Sequence, residues 1–570
     1  MSPLFALFPS FLCATLRAEE LGEYVAATAP EPDPSSLQGG GTRGLEEFRF
    51  RHYSSPARLA DFPDNPVFDY QEVVQRLQIS GGSSLLTLGI QGDAVALFSN
   101  EYILDGDREF ERPLFGEGLY GPHPNWWFGV EKLWLQGQRG SLSWTVGDSY
   151  GAFGKGLALN VVKNTDIDVD TSLRGVHATL VLSDVEVRLV EAVTNPQQVR
   201  LENPNVAMQA DLPHAVHGLR ADYYGPVRLG AHGVIYQFAR GVDPLGTPDV
   251  AWRSGLDAAV AGVSAEASGV GPFDLTAEAD WVSYGAPEIP VDSGGALYAS
   301  ATMYPGRASL LLEGKYYKDT EYLNLLSGPQ GYELAAGPSL EYERAITEDS
   351  SATLNSNDVG GARARLDLNL GSEATVLSPY VSVLALRDAD LGGVHFNATP
   401  ETVVHGVGGV TWIAGELHLL ANAGYRMDVR DDAPAGNPGD STIHADVSFT
   451  LPVTRGLVLE FAPNVLRYHW GDNEVQQRDY TDVSNTLAVK LGTSWIVLLY
   501  TDFSDNELIN STGNLTEDLY GATELQWQPT SALTMKVFYG AYRSGIRCAG
   551  GQCRTLPGFS GARASLTANF

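Results

Sequence analysis

The sequence predicts an all-β fold: a single large antiparallel transmembrane β-barrel of about 24 strands, with roughly 22 to 26 as the range. It has short periplasmic turns at one end and long extracellular loops at the other. Three observations carry this. Segments of about 10 residues alternate between apolar and polar side chains over most of the chain, as strands do when one face meets lipid and the other water. Very short and rather long connections take turns between those segments. The chain then stops on Phe570, at the end of a strand whose alternation has no break.

The totals agree. No stretch of about 18 or more apolar residues exists, so membrane helices are excluded. Gly accounts for 62 of 570 residues and aromatics for 10%. That mix suits strands and tight turns, whereas Gly in a helix costs about 1 kcal/mol against Ala. Mean hydropathy is -0.11. With 69 acidic against 37 basic residues the formal net charge is -32, which repels phosphate backbones and argues against nucleic-acid binding. The plain use of such acidity is the solubility of solvated loops. Acidic outer loops that gather divalent cations or favour cationic solutes are the sharper alternative.

From the N-terminus, the apolar run 4–15 and Leu16-Arg17-Ala18 before Glu19-Glu20 make residues 1–18 a signal peptide, though one without a basic start. Cys13 follows Leu12 rather than a small residue, so it is no lipoprotein site. Residues 19–45 are rich in Pro, Glu, Ser and Gly and read as a flexible periplasmic segment. The barrel is expected over residues 46–570. Its clearest strand is 441–451, where Ile443, Ala445, Val447, Phe449 and Leu451 oppose Thr442, His444, Asp446, Ser448 and Thr450. A helix would scatter those apolar residues around its axis. Segments 416–430 and 362–370 alternate in the same way. Tight turns recur at Arg139-Gly140, Tyr224-Gly225-Pro226, Tyr304-Pro305-Gly306, Ala414-Gly415 and Leu491-Gly492-Thr493, and long polar connections follow at 430–440, 470–478 and 502–518. Tyr224, Tyr304, Trp412, Trp495 and Trp527 cluster beside the short turns. Tyr236, Trp281, Tyr316, Tyr425 and Tyr539 stand a strand length away, as two interfacial belts would. Two segments, 156–162 and 332–343, read equally as strands, parts of loops or an inward fold.

The last strand sets Ala562, Ala564, Leu566, Ala568 and Phe570 against Arg563, Ser565, Thr567 and Asn569. It resembles the C-terminal targeting strand of proteins inserted by the outer-membrane barrel assembly machinery. That resemblance implies the machinery as a partner and places the chain in the bacterial outer membrane, among its lipid and lipopolysaccharide. Gly147-Asp148-Ser149-Tyr150 followed by Phe153-Gly154-Lys155-Gly156-Leu157 is similar to a motif of a family of uncharacterised outer-membrane β-barrels of Gram-negative bacteria. This resemblance implies a barrel and no particular activity, and Asn160 stands where that family commonly shows Arg. On its residues alone the motif is a strand that turns sharply on glycines. An ordinary Gly-rich turn at the rim is the preferred reading. The alternative folds the segment into the lumen, with Lys155 at a constriction.

Enzymatic signatures are missing: the chain has no Gly-x-Ser-x-Gly, His-Glu-x-x-His, P-loop or Cys-x-x-Cys. His444 with Asp446 and His418 with Glu416 would be neighbours on one strand face, but a water-facing wall carries such pairs without catalysis. The chain is therefore read as no enzyme, with no cofactor and no metal. The expected lumen lining is Arg363, Arg365, Asp367, Glu416, His418, Arg426, His444, Asp446, Glu460, Lys490, Glu524 and Lys536. Charges of both signs there either set up a transverse field or neutralise one another across adjacent strands. Cys548 and Cys553 flank Ala-Gly-Gly-Gln, a spacing that lets a small disulfide close in an oxidising compartment. The functional expectation is a passive channel or transport barrel for small polar solutes. The alternative is an anchoring component that binds partner proteins through its loops or its N-terminal segment.

Overall fold

A period of two puts successive side chains on opposite faces of a strand, and in the computed structural model those faces are the outside and the lumen of one closed sheet. The described residues are 41–54, 69–83, 85–97, 126–164, 169–195, 214–238, 240–242, 248–249, 257–285, 292–320, 323, 334–338, 340, 358–372, 375–388, 401–430, 439–470, 478–505, 519–542, 545–549, 552–556 and 559–570. The main sheet has 24 strands, each antiparallel to its neighbours. Its first strand, Gly41–Ser54, pairs both with Asp69–Gly82 and with the last, Phe559–Asn569, so no edge remains. Among the described residues no helix is long and apolar enough to cross a membrane.

The outer face is apolar. Leu88, Phe128, Val263, Leu312, Ile443 and Val537 all stand exposed on it. Such a surface belongs against hydrocarbon, because a sheet facing water would bury it. A closed, even-numbered barrel with this band is the architecture of a bacterial outer-membrane protein. Trp495 lies outward near the short turns and Tyr304 is exposed at one of them, and Trp281, Tyr316, Tyr425 and Tyr539 lie outward toward the long-loop end. Tyr224 stands apart from the belt expected of it: it shares the inward face with Asp222 and lies under the Arg228 guanidinium. Trp495 stacks on Trp527, its register partner, at 5.6 Å between ring centres. Tyr236 leaves the belt expected of it: it is fully buried on the lumen side.

The barrel begins earlier than the sequence suggested. Residues 41–45, read as linker, already belong to the first strand, since Gly44 and Phe570 exchange backbone hydrogen bonds of 2.6 and 2.9 Å across the seam. The Phe570 ring lies over Gly44, where any Cβ would sit 2.2 Å from it. Residues 1–40, including the expected signal peptide and the rest of the expected linker, lie outside the described residues, as do most residues of the long connections.

Two of those connections turn inward. After the strand Leu142–Ser149 the chain forms a small hairpin, Gly151–Phe153 with Leu159–Val161, inside the barrel before rejoining the wall at Ser172–Leu182. It meets residues 334–338 and 340, from the connection after Ala308–Lys318. Ala336 N–H donates to Gly156 C=O at 3.0 Å and Asn160 N–H to Leu334 C=O at 2.7 Å. The rim-turn reading of the Gly-Lys-Gly motif is thus overturned. Phe153, Leu157, Ala158 and Leu159 are apolar enough to seek cover, and the wall behind them offers it. Gly154 and Gly156 take φ of 56° and 90°, a region open to glycine, so the hairpin can reverse in the five residues between Phe153 and Leu159.

Candidate functional site

A closed barrel encloses its lumen, so the lining described is the candidate site. On one side it is a dry core. Phe153, Leu159, Val161 and Val169 of the insert pack with Leu323 and Leu334 against Val190, Val216, Val234, Tyr236, Val260 and Val282 of the wall. A second core joins Leu157 and Leu340 to Tyr317, Leu384, Leu386 and Val403. The Tyr236 hydroxyl, buried with the ring, donates to the Ala158 carbonyl, giving that polar group the partner it needs away from water.

Charged side chains surround this core and are themselves paired. In the strand Trp126–Arg139 a bulge sets Glu131 and Lys132 against a single partner position. One extra residue re-aims the side chains around it. Both Glu131 and Lys132 therefore turn inward and are buried, while Val130 and Leu133 on either side face out. The bulged carbonyl of Glu131 accepts from Arg174 at 2.9 Å and Asn195 at 2.8 Å. Lys132 meets Asp170 at 2.5 Å, and Lys163 meets the same carboxylate at 3.4 Å. Tyr150 also donates to Asp170. Burial pushes the Asp170 carboxyl up, but Lys132, Lys163 and Arg76 more than offset this and hold it below the usual carboxylate range. Asp148 accepts from Leu133 N–H at 2.7 Å, from Ser172 at 3.0 Å and from Asn195 at 2.9 Å. The inserted connection is therefore clamped at its return by ion pairs and at its tip by apolar packing.

The residues expected to line the lumen fall into distinct groups. Arg363 is buried and meets Glu313 of the neighbouring strand at 3.0 Å, also donating to Ser382 at 3.1 Å. Arg365 pairs with Asp367 at 2.9 Å and lies over the Tyr380 ring. Arg426 donates to Asp428 at 2.7 Å. Lys490 pairs with Glu460 across two strands, and Glu524 lies 3.8 Å from Arg563. Of these contacts, Arg363 with Glu313 and Lys490 with Glu460 join adjacent strands, whereas Arg365 with Asp367 and Arg426 with Asp428 lie within one strand. His444 meets Asp446 at 3.2 Å as the two-residue spacing predicts. It also meets His405, Nε2 to Nε2 at 2.9 Å, a partner 39 positions away that no local spacing reveals. Glu416 sits in the turn between Glu401–Ala414 and Leu417–Arg430 and is exposed there, so it is not brought to His418 on a strand face. Lys536 is exposed on the inward face of Leu533–Tyr542. Cys548 and Cys553 are directly opposite in the register of a two-stranded hairpin, Gly545–Ala549 with Gln552–Leu556.

A carboxylate cluster that sequence reasoning missed lies where the insert touches the wall. His232, Glu278 and Asp280 present ligand-type atoms all within 4.8 Å of one another, and all three residues are buried. They come from the strands Arg228–Gln237 and Phe273–Tyr284. Glu278 and Asp280, two apart on one strand, were legible as neighbours. His232, 46 or more positions earlier, becomes one only through the register His232↔Gly262↔Asp280.

No family model matches the chain, and no curated protein does either. Solved barrels are similar to it in shape. The siderophore receptor PirA from Pseudomonas aeruginosa has a TM-score of 0.44 at 9% identity, over 93% of this chain and 80% of that one. The copper transporter OprC gives 0.44 at 11%, over 94% and 81%. The outer membrane protein OpdK from Pseudomonas aeruginosa gives 0.37 at 12%, over 69% and 95%. The likeness is one of barrel architecture. Neither the family models nor the curated proteins bear on the resemblance to a family of uncharacterised barrels.

Proposed function

We propose that this chain is an outer-membrane transport barrel for small polar solutes, narrowed from one side by its own inserted segments, with the solute path along the opposite wall. The observation that carries this is the contrast between the walls. Lumen-facing residues from Ser172–Leu182 to Phe273–Tyr284 are closed off by the insert, as with Val190, Val216 and Val260. Toward the short turns, the inward residues of the strands from Leu457–Trp470 to Phe559–Asn569 keep contact with solvent: Glu460, Lys490, Arg563 and Lys536. A path between fixed charges of both signs passes polar solutes and disfavours apolar ones.

Planar-bilayer recording of the folded full chain tests this. A small, steady conductance is expected, with ion selectivity that shifts on Lys536→Glu. A closed trace across a range of voltages and salts would sink the passive path. The anchoring alternative rests on the loops and on residues 19–40, which lie outside the described residues, and no observation within the barrel favours it.

A further inference from the structure

Among the described residues, Glu278 and Asp280 are two buried carboxylates with no Lys or Arg side chain paired to either. Among the described residues Glu278 accepts only the Lys155 backbone N–H, at 3.1 Å to Oε1 and 2.9 Å to Oε2. Asp280 meets, among the described residues, only His232. The nearest basic side chains are spent elsewhere: Arg220 on Asp222 at 2.7 Å and Lys155 on Glu266 at 3.5 Å. Among the described residues the Asp280 oxygen Oδ2 has no hydrogen-bond partner, although its side chain is wholly buried. Burying a charge in this way is costly unless something positive accompanies it.

The neighbouring atoms define what that could be. Arg220 Nη1 lies 3.0 Å from His232 Nδ1. A guanidinium only donates, so Nδ1 accepts, and the ring proton sits on Nε2, where it is given to Asp280 Oδ1. His232 thus orients the carboxylate from behind, as residues around a metal orient its ligands. Gly262, between the two in register, makes this approach feasible, since a Cβ there would stand 1.9 Å from Asp280 Oδ1 and 2.4 Å from His232 Nε2. The donor atoms left for a ligand are the free Asp280 oxygen and the Glu278 carboxylate.

We propose that Glu278 and Asp280 hold a hard divalent cation of the calcium or magnesium class, with Asp280 oriented by His232 and Arg220. Both donors are carboxylate oxygens, and the ligand-type atoms of His232, Glu278 and Asp280 all lie within 4.8 Å of one another, close enough for one cation with oxygens at about 2.3–2.6 Å. Water supplies the rest of the shell. Because Glu278 also accepts the amide at the tip of the insert, the cation ties that tip to the wall.

The experiment uses folded full-length protein in detergent, stripped with chelator and titrated with calcium chloride and, separately, magnesium chloride. Hydrogen exchange of residues 151–161 is followed alongside calorimetry. One of the two ions is expected to slow exchange at the Lys155 amide in the unaltered protein, with a calorimetric site weakened about 10- to 100-fold by Asp280→Asn or Glu278→Gln. The exposed surface variant Asp479→Asn should leave that site unchanged. Exchange at 151–161 that is identical with chelator and with either ion overturns the proposal, and this needs no variant to fold. So does protection that responds to pH alone, which would make the partner of the two carboxylates a proton.

Discussion

Phe153 is the side chain on which the docking of the insert most depends. It is 1% exposed, its ring centre lies 6.2 Å from that of His232, and it sits where Gly218 has no side chain: a Cβ there would come within 2.8 Å of it. Phe153→Ala removes that ring from a dry pocket walled by Val190, Val216 and Val234, a change that costs about 3–5 kcal/mol in a well-packed core. The wall cannot collapse into the gap, because its strands are held in register by neighbours on both sides. At about 1.4 kcal/mol per factor of ten, the undocked fraction of the insert rises roughly 100- to several-thousand-fold. The ladder of the barrel itself loses nothing. Single-channel recording should therefore show excursions to a larger conductance in the variant that are absent from the parent. The protein should still run as a folded, heat-modifiable barrel on a gel. A trace with the parent's conductance and noise, from protein shown to be folded, would refute the assignment of the insert as the lumen's filling.

Other outcomes follow from the same geometry. Lys536→Glu reverses an exposed inward charge, so the cation-to-anion permeability ratio should rise, measured from reversal potentials in a salt gradient. Asp170→Asn leaves Lys132 and Lys163 without their carboxylate, and breaking a buried pair in this way costs about 3–5 kcal/mol. Protease sensitivity of the insert should increase accordingly. Acid should act in the same direction. The Asp170 carboxyl lies below its ordinary value in the folded state, so its contribution is complete above about pH 3.9 and is lost only as pH falls through that lower value. Cys548 and Cys553, opposite in a hairpin register, should resist alkylation in denatured, unreduced protein and react after reduction. Labelling of both before reduction would remove the disulfide.

Much of the barrel was legible because lipid and water impose opposite demands on alternate residues. In Asp440–Thr454 the outward Ile443 and inward His444 obey that rule without exception nearby. The insert was not legible, because it changes what the inner wall faces. In Val185–Asn195 the neighbours Leu189 and Val190 point to opposite sides and are both apolar, and in Arg228–Gln237 so are Ile235 and Tyr236. A strand apolar on both faces is the mark of cover on both. That loss of alternation over 185–284 was the available signal. Tyr236 was misplaced for the same reason, since an aromatic at interface height was read outward when its true neighbour was the chain's own hairpin. The ion pairs within one strand, such as Arg365 with Asp367, follow from spacing. Those across strands, such as Arg363 with Glu313, needed the register.

The two inward segments leave the wall about as far apart as one third of the chain, yet they share the hydrogen bonds Ala336 to Gly156 and Asn160 to Leu334. Neither can find its place until the strands that carry both have paired, because a contact this distant in sequence gains nothing before the intervening loop is closed. The wall must therefore form first and the filling last. Every newly inserted molecule passes through an interval as a wide, unfilled hole, and the cell's exposure to that leak is set by how fast a hairpin of a dozen residues docks.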